Sequence, residues 1–185
     1  RQPAVHLHAD WCVNRWGRVI VTLDAHKDMA MPPLPRLGIM LPVERSMRHV
    51  TYYGYGPDES YIDKREHCYV DMFQAEVEDL HENYIRPQEN GSHYHCRYVS
   101  LENEKYRLLA EADNYLDFNV SDYTVEELAG KRHNFELEPA SGSLLSLDAR
   151  MMGIGSNSCG PDLPEEFLRD EAHTVWKVQL QIEEL

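Results

Sequence analysis

The sequence predicts an all-β fold, an antiparallel β-sandwich, and three observations support this prediction. Apolar and polar residues alternate with period two along much of the chain, which is typical of strands with one buried face. Turn residues separate these alternating segments, and a single short segment has helical features. About ten strands, one short helix and long loops containing glycine and proline favour a sandwich over a layered α/β fold.

The alternating segments begin near the start of the chain and recur to its end. After a predicted turn at residues 14–17, Val19, Val21 and Leu23 alternate with more polar positions, which predicts a hairpin. Three later segments repeat the pattern, with predicted buried faces formed by Leu116, Phe118 and Val120, by Leu145, Leu147, Ala149 and Met151, and by Trp176, Val178, Leu180 and Ile182. The last of these segments is expected to be a half-buried strand.

The helical segment is short. Thr124 and Glu127 have the spacing of a capping box, Leu128 and Ala129 follow, and Gly130 is a stop signal. We expect a helix of two turns at most.

Length and charge exclude several classes of protein. With 185 residues and 21.6 kDa, the chain is predicted to form a single sandwich segment over residues 1–185. The net charge of −14, from 32 acidic and 18 basic residues, repels phosphate backbones and anionic lipid headgroups, so no nucleic-acid partner is expected. No apolar run approaches the roughly 20 residues that a membrane helix needs, so no membrane partner is expected either.

The cysteines are far apart and form no C-x-x-C pair, which predicts neither a zinc knuckle nor a dense disulfide framework. A reducing cytoplasm is the expected setting. Catalysis by Cys96 beside His95, or by Cys159, is a weaker hypothesis than a structural role.

Two histidine pairs raise the question of a metal site. His93 and His95 are two residues apart in a predicted strand and should share a face with Arg97, but no carboxylate follows closely enough to complete a site. His6 and His8 have the same geometry, again without a nearby further ligand. We therefore predict surface or hydrogen-bonding histidines and no metal ion in this segment.

Three loops are longer than turns require: residues 53–64, 84–95 and 151–161. The glycines of the third loop favour a turn over a phosphate site, because prolines rather than a helix follow them. The tyrosines of and before the first loop, Tyr52, Tyr53, Tyr55 and Tyr61, could stack on sugar rings, although packing within the sandwich is the favoured interpretation.

Five short motifs occur in an order that resembles one family. They are LPRLG (34–38), YGYGP with DESYID (53–63), RPQENG (86–91), LDAR (147–150) and MGIG (152–155). Together they resemble the C-terminal, small-chain domain of the large bacterial β-galactosidases of glycoside hydrolase family 2. The resemblance covers nearly the whole chain.

The resemblance implies a supersandwich similar to galactose mutarotase, truncated here at its N-terminal end. It implies a parent enzyme that hydrolyses terminal β-D-galactose from β-galactosides such as lactose. The catalytic glutamates and the magnesium ligands would lie in a barrel domain of the same or a partner chain, so this segment alone is expected to be inactive, with no cofactor of its own. Glu59 and Glu89 would hydrogen-bond loop backbones, so that the domain keeps its shape. The residues of the family-motif loops are Tyr53, Gly56, Glu59, Tyr61, Asp63, Arg86, Glu89, Asn90 and Gly91.

One family loop of this domain reaches the active site through a tryptophan. The corresponding loop here reads GSNSCG (155–160), so the aromatic ring is absent and the stacking contact is lost. Asn157, Ser158 and Cys159 become the candidate residues at the substrate rim, because Asn157 and Ser158 could hydrogen-bond a sugar hydroxyl.

Two alternatives from other classes remain open at this point. One is a stand-alone carbohydrate-binding module that uses the loop tyrosines and the motif at 86–91. The other is a mutarotase-like epimerase, for which His93 or His95 with Glu89 would be the candidate residues.

Overall fold

The order of the strands positions the three long loops. The computed structural model describes residues 3–155, 161–168 and 170–185. Its strands are β1 (Val5–Val13), β2 (Val19–Lys27), β3 (Arg36–Val43), β4 (His49–Gly56), β5 (Tyr69–Glu76), β6 (Ser92–Glu102), β7 (Tyr106–Ser121), β8 (Ser143–Met151) and β9 (His173–Glu184). Two short helices, α1 (Val125–Gly130) and α2 (Glu165–Leu168), and 3-10 turns at Val77–Leu80 and Asn134–Glu136 accompany them.

All the pairings between these strands are antiparallel, which confirms the predicted all-β class. The main path runs β1-β2-β9-β7-β6-β4-β5, and β8 joins β7 to β3. The first part of β7 pairs with β9 and its last part, from Asp117 to Ser121, pairs with β8. This long strand therefore links the two parts of the sandwich around one core.

The core contains the side chains that the alternation predicted. Val21, Leu23, Phe118, Leu145 and Val178 are buried within one apolar cluster. Burying each such side chain contributes about 1.5–3 kcal/mol, so this cluster is the main source of stability of the fold.

The helix prediction is also confirmed, because α1 follows Thr124 and the Thr124 hydroxyl accepts a hydrogen bond from the Glu127 N–H at 3.0 Å. The expectation for Ile182 is wrong, since its side chain is 71% exposed. The pairing of β9 with β2 ends at Leu180, so Ile182 lacks a neighbouring strand on that side.

The alternation also fails in two places. The register of β6 against β7 shifts between His93 and Cys96, and His95 has a φ of +58°, so His93 and Cys96 are both buried while Arg97 is exposed. His93, His95 and Arg97 consequently do not share one face, contrary to the strand prediction.

The second exception is the polar face of β7 and β8. Asp117, Asn119 and Asp148 are buried, although alternation placed them on the polar side. The long loops and Arg36 cover this face. They form hydrogen bonds with its buried polar side chains.

Candidate functional site

The motif loops meet in one cluster beside this covered polar face. Glu59 is its central residue, 4% exposed. One carboxylate oxygen accepts a hydrogen bond from the Gly91 N–H at 2.7 Å, and the other contacts both the Lys64 ammonium and the Tyr84 hydroxyl. The Lys64 ammonium also donates to the Tyr84 hydroxyl at 2.9 Å. Glu59 thus joins the first motif loop to the second.

The pKa of Lys64 favours a charged ammonium beside Glu59. Burial lowers the pKa of Lys64, but the hydrogen bonds to Glu59 and Tyr84 together raise it above its usual value. A charged ammonium therefore lies against the buried carboxylate of Glu59.

Ser60 and Tyr61, which follow Glu59, connect the first loop to strand β6. The Ser60 N–H donates to the Ser92 carbonyl at 2.7 Å, and the Ser60 hydroxyl accepts from the Tyr94 N–H at 2.9 Å. The Tyr61 hydroxyl accepts from the Ser92 N–H at 3.4 Å. Burial, together with the negative charges of Glu89 and Glu59, raises the pKa of Tyr61 well above its usual range, so this phenol stays protonated.

A second charged group adjoins the first. The Arg36 guanidinium binds Asp148 through Nη2 at 2.7 Å and Nε at 3.3 Å, and its Nη1 lies 3.4 Å from Glu89. Burial raises the pKa of Glu89, the positive charge of Arg36 opposes this shift, and the nearby carboxylates of Asp148 and Glu59 add to it. The RPQENG, LPRLG and LDAR motifs therefore meet at one arginine.

Asp63 holds the start of the third loop. Its carboxylate accepts hydrogen bonds from the N–H groups of Ile154 at 3.1 Å and Gly155 at 2.8 Å. A Cβ at Gly153 would lie 2.6 Å from the Asp63 Cγ, so only glycine allows this approach. Asn157, Ser158 and Cys159, the candidate rim residues, follow directly and lie outside the described residues.

The remaining motif residues have mostly local roles. The Asn90 side chain accepts from the Glu82 N–H at 3.0 Å and donates to the Gln88 carbonyl at 2.9 Å, which closes the second loop on itself. At Gly56, a Cβ would lie 2.2 Å from the Tyr52 hydroxyl oxygen. Tyr53 and Arg86 are exposed.

The candidates for other chemistry are packed into the core. His93 is 1% exposed, with Nδ1 3.2 Å from the Gly91 carbonyl and Nε2 3.4 Å from the Pro57 carbonyl. Burial lowers its pKa to about 4, so the ring is neutral at pH 7 and either tautomer donates to a backbone carbonyl. This arrangement supports the hydrogen-bonding role and argues against an epimerase that uses His93.

The structure also argues against a cysteine nucleophile at Cys96 and against sugar stacking by two of the tyrosines. Cys96 is fully buried, and burial raises the pKa of its thiol well above the usual value, which disfavours the reactive thiolate. Tyr52 and Tyr61 are each 1% exposed and cannot stack on a sugar, which confirms packing for these two tyrosines.

Sequence reasoning missed several partners in this cluster. Lys64 and Tyr84 were not singled out, because their spacing from Glu59 follows no recognised motif. Arg36 and Asp148 belong to quoted motifs, yet their pairing depends on the register between β3 and β8. For Arg36 and Asp148, the motifs that contain them were the signal that the sequence offered.

The geometry defines an all-β sandwich domain with a buried polar cluster that joins three motif loops. Residues 1–181 match the family model described as beta galactosidase small chain. The chain belongs to this β-galactosidase small-chain family. Within the described part of the chain, no helix has the length and apolar character needed to cross a membrane.

Several curated relatives support the same assignment. The chain is 40% identical over 151 residues to a beta-galactosidase of Actinobacillus pleuropneumoniae, an alignment covering 82% of this chain and 15% of the relative. It is 38% identical over 179 residues to one of Staphylococcus xylosus, covering 97% and 18%, and 34% identical over 167 residues to one of Arthrobacter sp., covering 86% and 16%. The chain therefore spans less than a fifth of the length of these relatives.

Proposed function

We propose that this chain is the C-terminal, non-catalytic sandwich of a β-galactosidase that releases terminal β-D-galactose from β-galactosides such as lactose. In this role it packs against the catalytic barrel domain, in the same or a partner chain, and completes the rim of the active site. The family assignment and the small share of each relative that the chain covers support this proposal.

The observation that carries the proposal is the contact between Asp63 and the third loop. Its two hydrogen bonds, to Ile154 and Gly155, fix the backbone immediately before the candidate rim residues. Asp63 belongs to the motif whose Glu59 is anchored to the second loop. The sandwich thereby fixes the described start of the third loop, up to Gly155.

Chemistry in this proposal belongs to the barrel domain. A retaining glycosidase needs an acid/base and a nucleophile whose carboxyl groups are roughly 5–5.5 Å apart and open to the sugar. Glu59 is buried and neutralised by Lys64, and Glu89 faces Arg36. These two acids therefore serve structure, and the magnesium ion that the resemblance implies is assigned to the barrel domain.

Hydrolysis of a chromogenic β-galactoside tests the assembly role. The assay compares this chain, the remainder of the parent protein, and the two mixed. We expect turnover only in the mixture, and full activity of the remainder alone would contradict the role. Asp63→Ala should weaken complementation, whereas Asp113→Ala, which removes an exposed carboxylate near Lys177, should leave it unchanged.

A second experiment addresses the rim. If Asn157 hydrogen-bonds a sugar hydroxyl, Asn157→Ala in the active assembly should raise KM by about fivefold or more, the effect of losing one hydrogen bond of about 1 kcal/mol. An unchanged KM would remove Asn157 from the rim. Saturable binding of galactosides by this chain alone would favour a separate carbohydrate-binding role instead.

A further inference from the structure

A second polar cluster lies on β2 and β9, away from the motif loops. His26 and His173 are directly opposite each other in the antiparallel pairing, and Asp24 is two residues before His26 on the same face. The Asp24 Oδ1 lies 2.8 Å from the His173 Nε2 and 3.2 Å from the His26 Nε2. The imidazole rings are stacked, with centroids 4.1 Å apart and planes inclined by 7°.

This cluster faces solvent. Val21, Leu23 and Ala25 of β2 point into the core, so Asp24 and His26 project from the opposite face of the sheet. The side chains of Asp24, His26 and His173 are 43%, 60% and 50% exposed. An ion could reach them without any opening of the fold.

The three groups form a chelating set. One ligand atom from each of Asp24, His26 and His173 lies within 4.8 Å of the others. Two imidazole nitrogens and one carboxylate oxygen suit Zn²⁺, Co²⁺, Ni²⁺ or Cu²⁺, whereas Mg²⁺ and Ca²⁺ prefer sites built from oxygen. The backbone ladder already holds the two histidines side by side. Binding requires the rings to rotate out of their stacked arrangement, so that both Nε2 lone pairs point at one ion.

The neighbouring strand β1 adds further candidate ligands. In its register with β2, His6 is opposite His26 and His8 is opposite Asp24, so these residues share the outer face. The strand register thus places His26 opposite His6, a neighbour that spacing along the sequence did not indicate. His8 Nε2 lies 3.2 Å from the Asp10 carboxylate, so His6, opposite His26, is the candidate for a fourth ligand. His6 lies outside the three-residue cluster, and its ring would have to turn toward the ion.

We propose that Asp24, His26 and His173 bind a divalent transition-metal ion, with His6 as the fourth protein ligand. Because its ligands come from β1, β2 and β9, the ion would cross-link three adjacent strands at one end of the sheet. This site is independent of the proposed role in a β-galactosidase.

Titration of the 185-residue chain with Zn²⁺ by calorimetry, and with Co²⁺ by visible absorption, tests the site. We expect one ion per chain and ligand-field bands from histidine-bound Co²⁺. His26→Ala, His173→Ala and Asp24→Asn should each lower the affinity about tenfold or more. His6→Ala should also lower it, and an unchanged affinity in this variant would overturn the fourth-ligand assignment.

His49→Ala is the matched control. His49 is an exposed histidine that contacts one carboxylate, Glu76, on β4 and β5, and it lies outside the candidate metal cluster. Its loss should leave the affinity for Zn²⁺ unchanged. Equal affinities in the wild type, His26→Ala and His173→Ala would overturn the proposal, as would binding that His49→Ala weakens to the same extent as His173→Ala.

Thermal unfolding gives an independent readout, since an ion that binds only the folded state raises Tm. At the same Zn²⁺ concentration, the rise in Tm should be equal for the wild type and His49→Ala and smaller for His173→Ala. Circular dichroism spectra recorded without metal confirm that the variants are folded, which is expected because the substituted side chains are exposed.

Discussion

The Asp63 carboxylate accepts a hydrogen bond from the Gly155 N–H at 2.8 Å, a contact between residues 92 positions apart. This contact links the YGYGP–DESYID motif to the MGIG motif. The same carboxylate binds Ile154, and the absence of a side chain at Gly153 gives it the room to do so. The third loop is therefore positioned by a residue of the first.

Removal of this carboxylate should release the start of the third loop. In Asp63→Ala, amide hydrogen exchange of Ile154 and Gly155 should accelerate by about tenfold or more, because two hydrogen bonds to a charged group are lost. Exchange in the buried strand β8 should be unaffected. Slow exchange at both amides in the variant would show that other contacts hold the loop.

Glu59→Gln should destabilise the fold by about 2–3 kcal/mol. The substitution leaves Lys64 without its carboxylate and places an amide group in a site where Lys64 and Gly91 act only as donors. Urea unfolding measures the loss. Glu78→Gln, at a carboxylate whose side chain is 65% exposed and pairs with Arg48, should cost less than about 1 kcal/mol.

Gly91→Ala should cost more stability than Gly17→Ala. Both glycines have positive φ, +71° and +76°, so both substitutions impose backbone strain of about 1 kcal/mol. At Gly91 the added Cβ would also lie 2.3 Å from the Leu80 carbonyl oxygen, whereas at Gly17 nothing lies within 4 Å. We expect a difference of about 1–2 kcal/mol in unfolding free energy, and equal costs would contradict the close approach.

His93 should make stability depend on pH in a defined window. Its pKa of about 4 in the folded state is below the ordinary value of about 6.5, so the unfolded state binds the proton more tightly. Its contribution is fully present above about pH 6.5 and is lost as the pH falls toward 4, by about 3 kcal/mol in total.

Urea unfolding at several pH values between 7 and 4 tests this linkage. His93→Gln removes the titrating group, so its stability should fall less steeply with decreasing pH than that of the wild type. A wild-type slope in His93→Gln would assign the dependence to other groups.

Local pattern accounts for the parts of the fold that were predicted correctly. Val21 and Leu23 alternate with polar neighbours and are buried, and Thr124 caps the helix that its spacing with Glu127 indicated. Each of these features depends on residues close together in the chain. The bulge at His95 and the exposure of Ile182 depend on how strands pair, and the alternation could not reveal either.

The amino-acid sequence by itself determined the all-β class, the short helix and the resemblance carried by the motifs, because these depend on local periodicity and composition. Only the tertiary structure decided which partners those motif residues have. Glu59 meets Lys64, Tyr84 and Gly91, and His173 meets Asp24 across 149 positions, through loop packing and strand register. A register shift of one residue between β2 and β9 would turn His173 to the face opposite Asp24, and the Glu59 contacts depend on loops that meet only in the assembled fold.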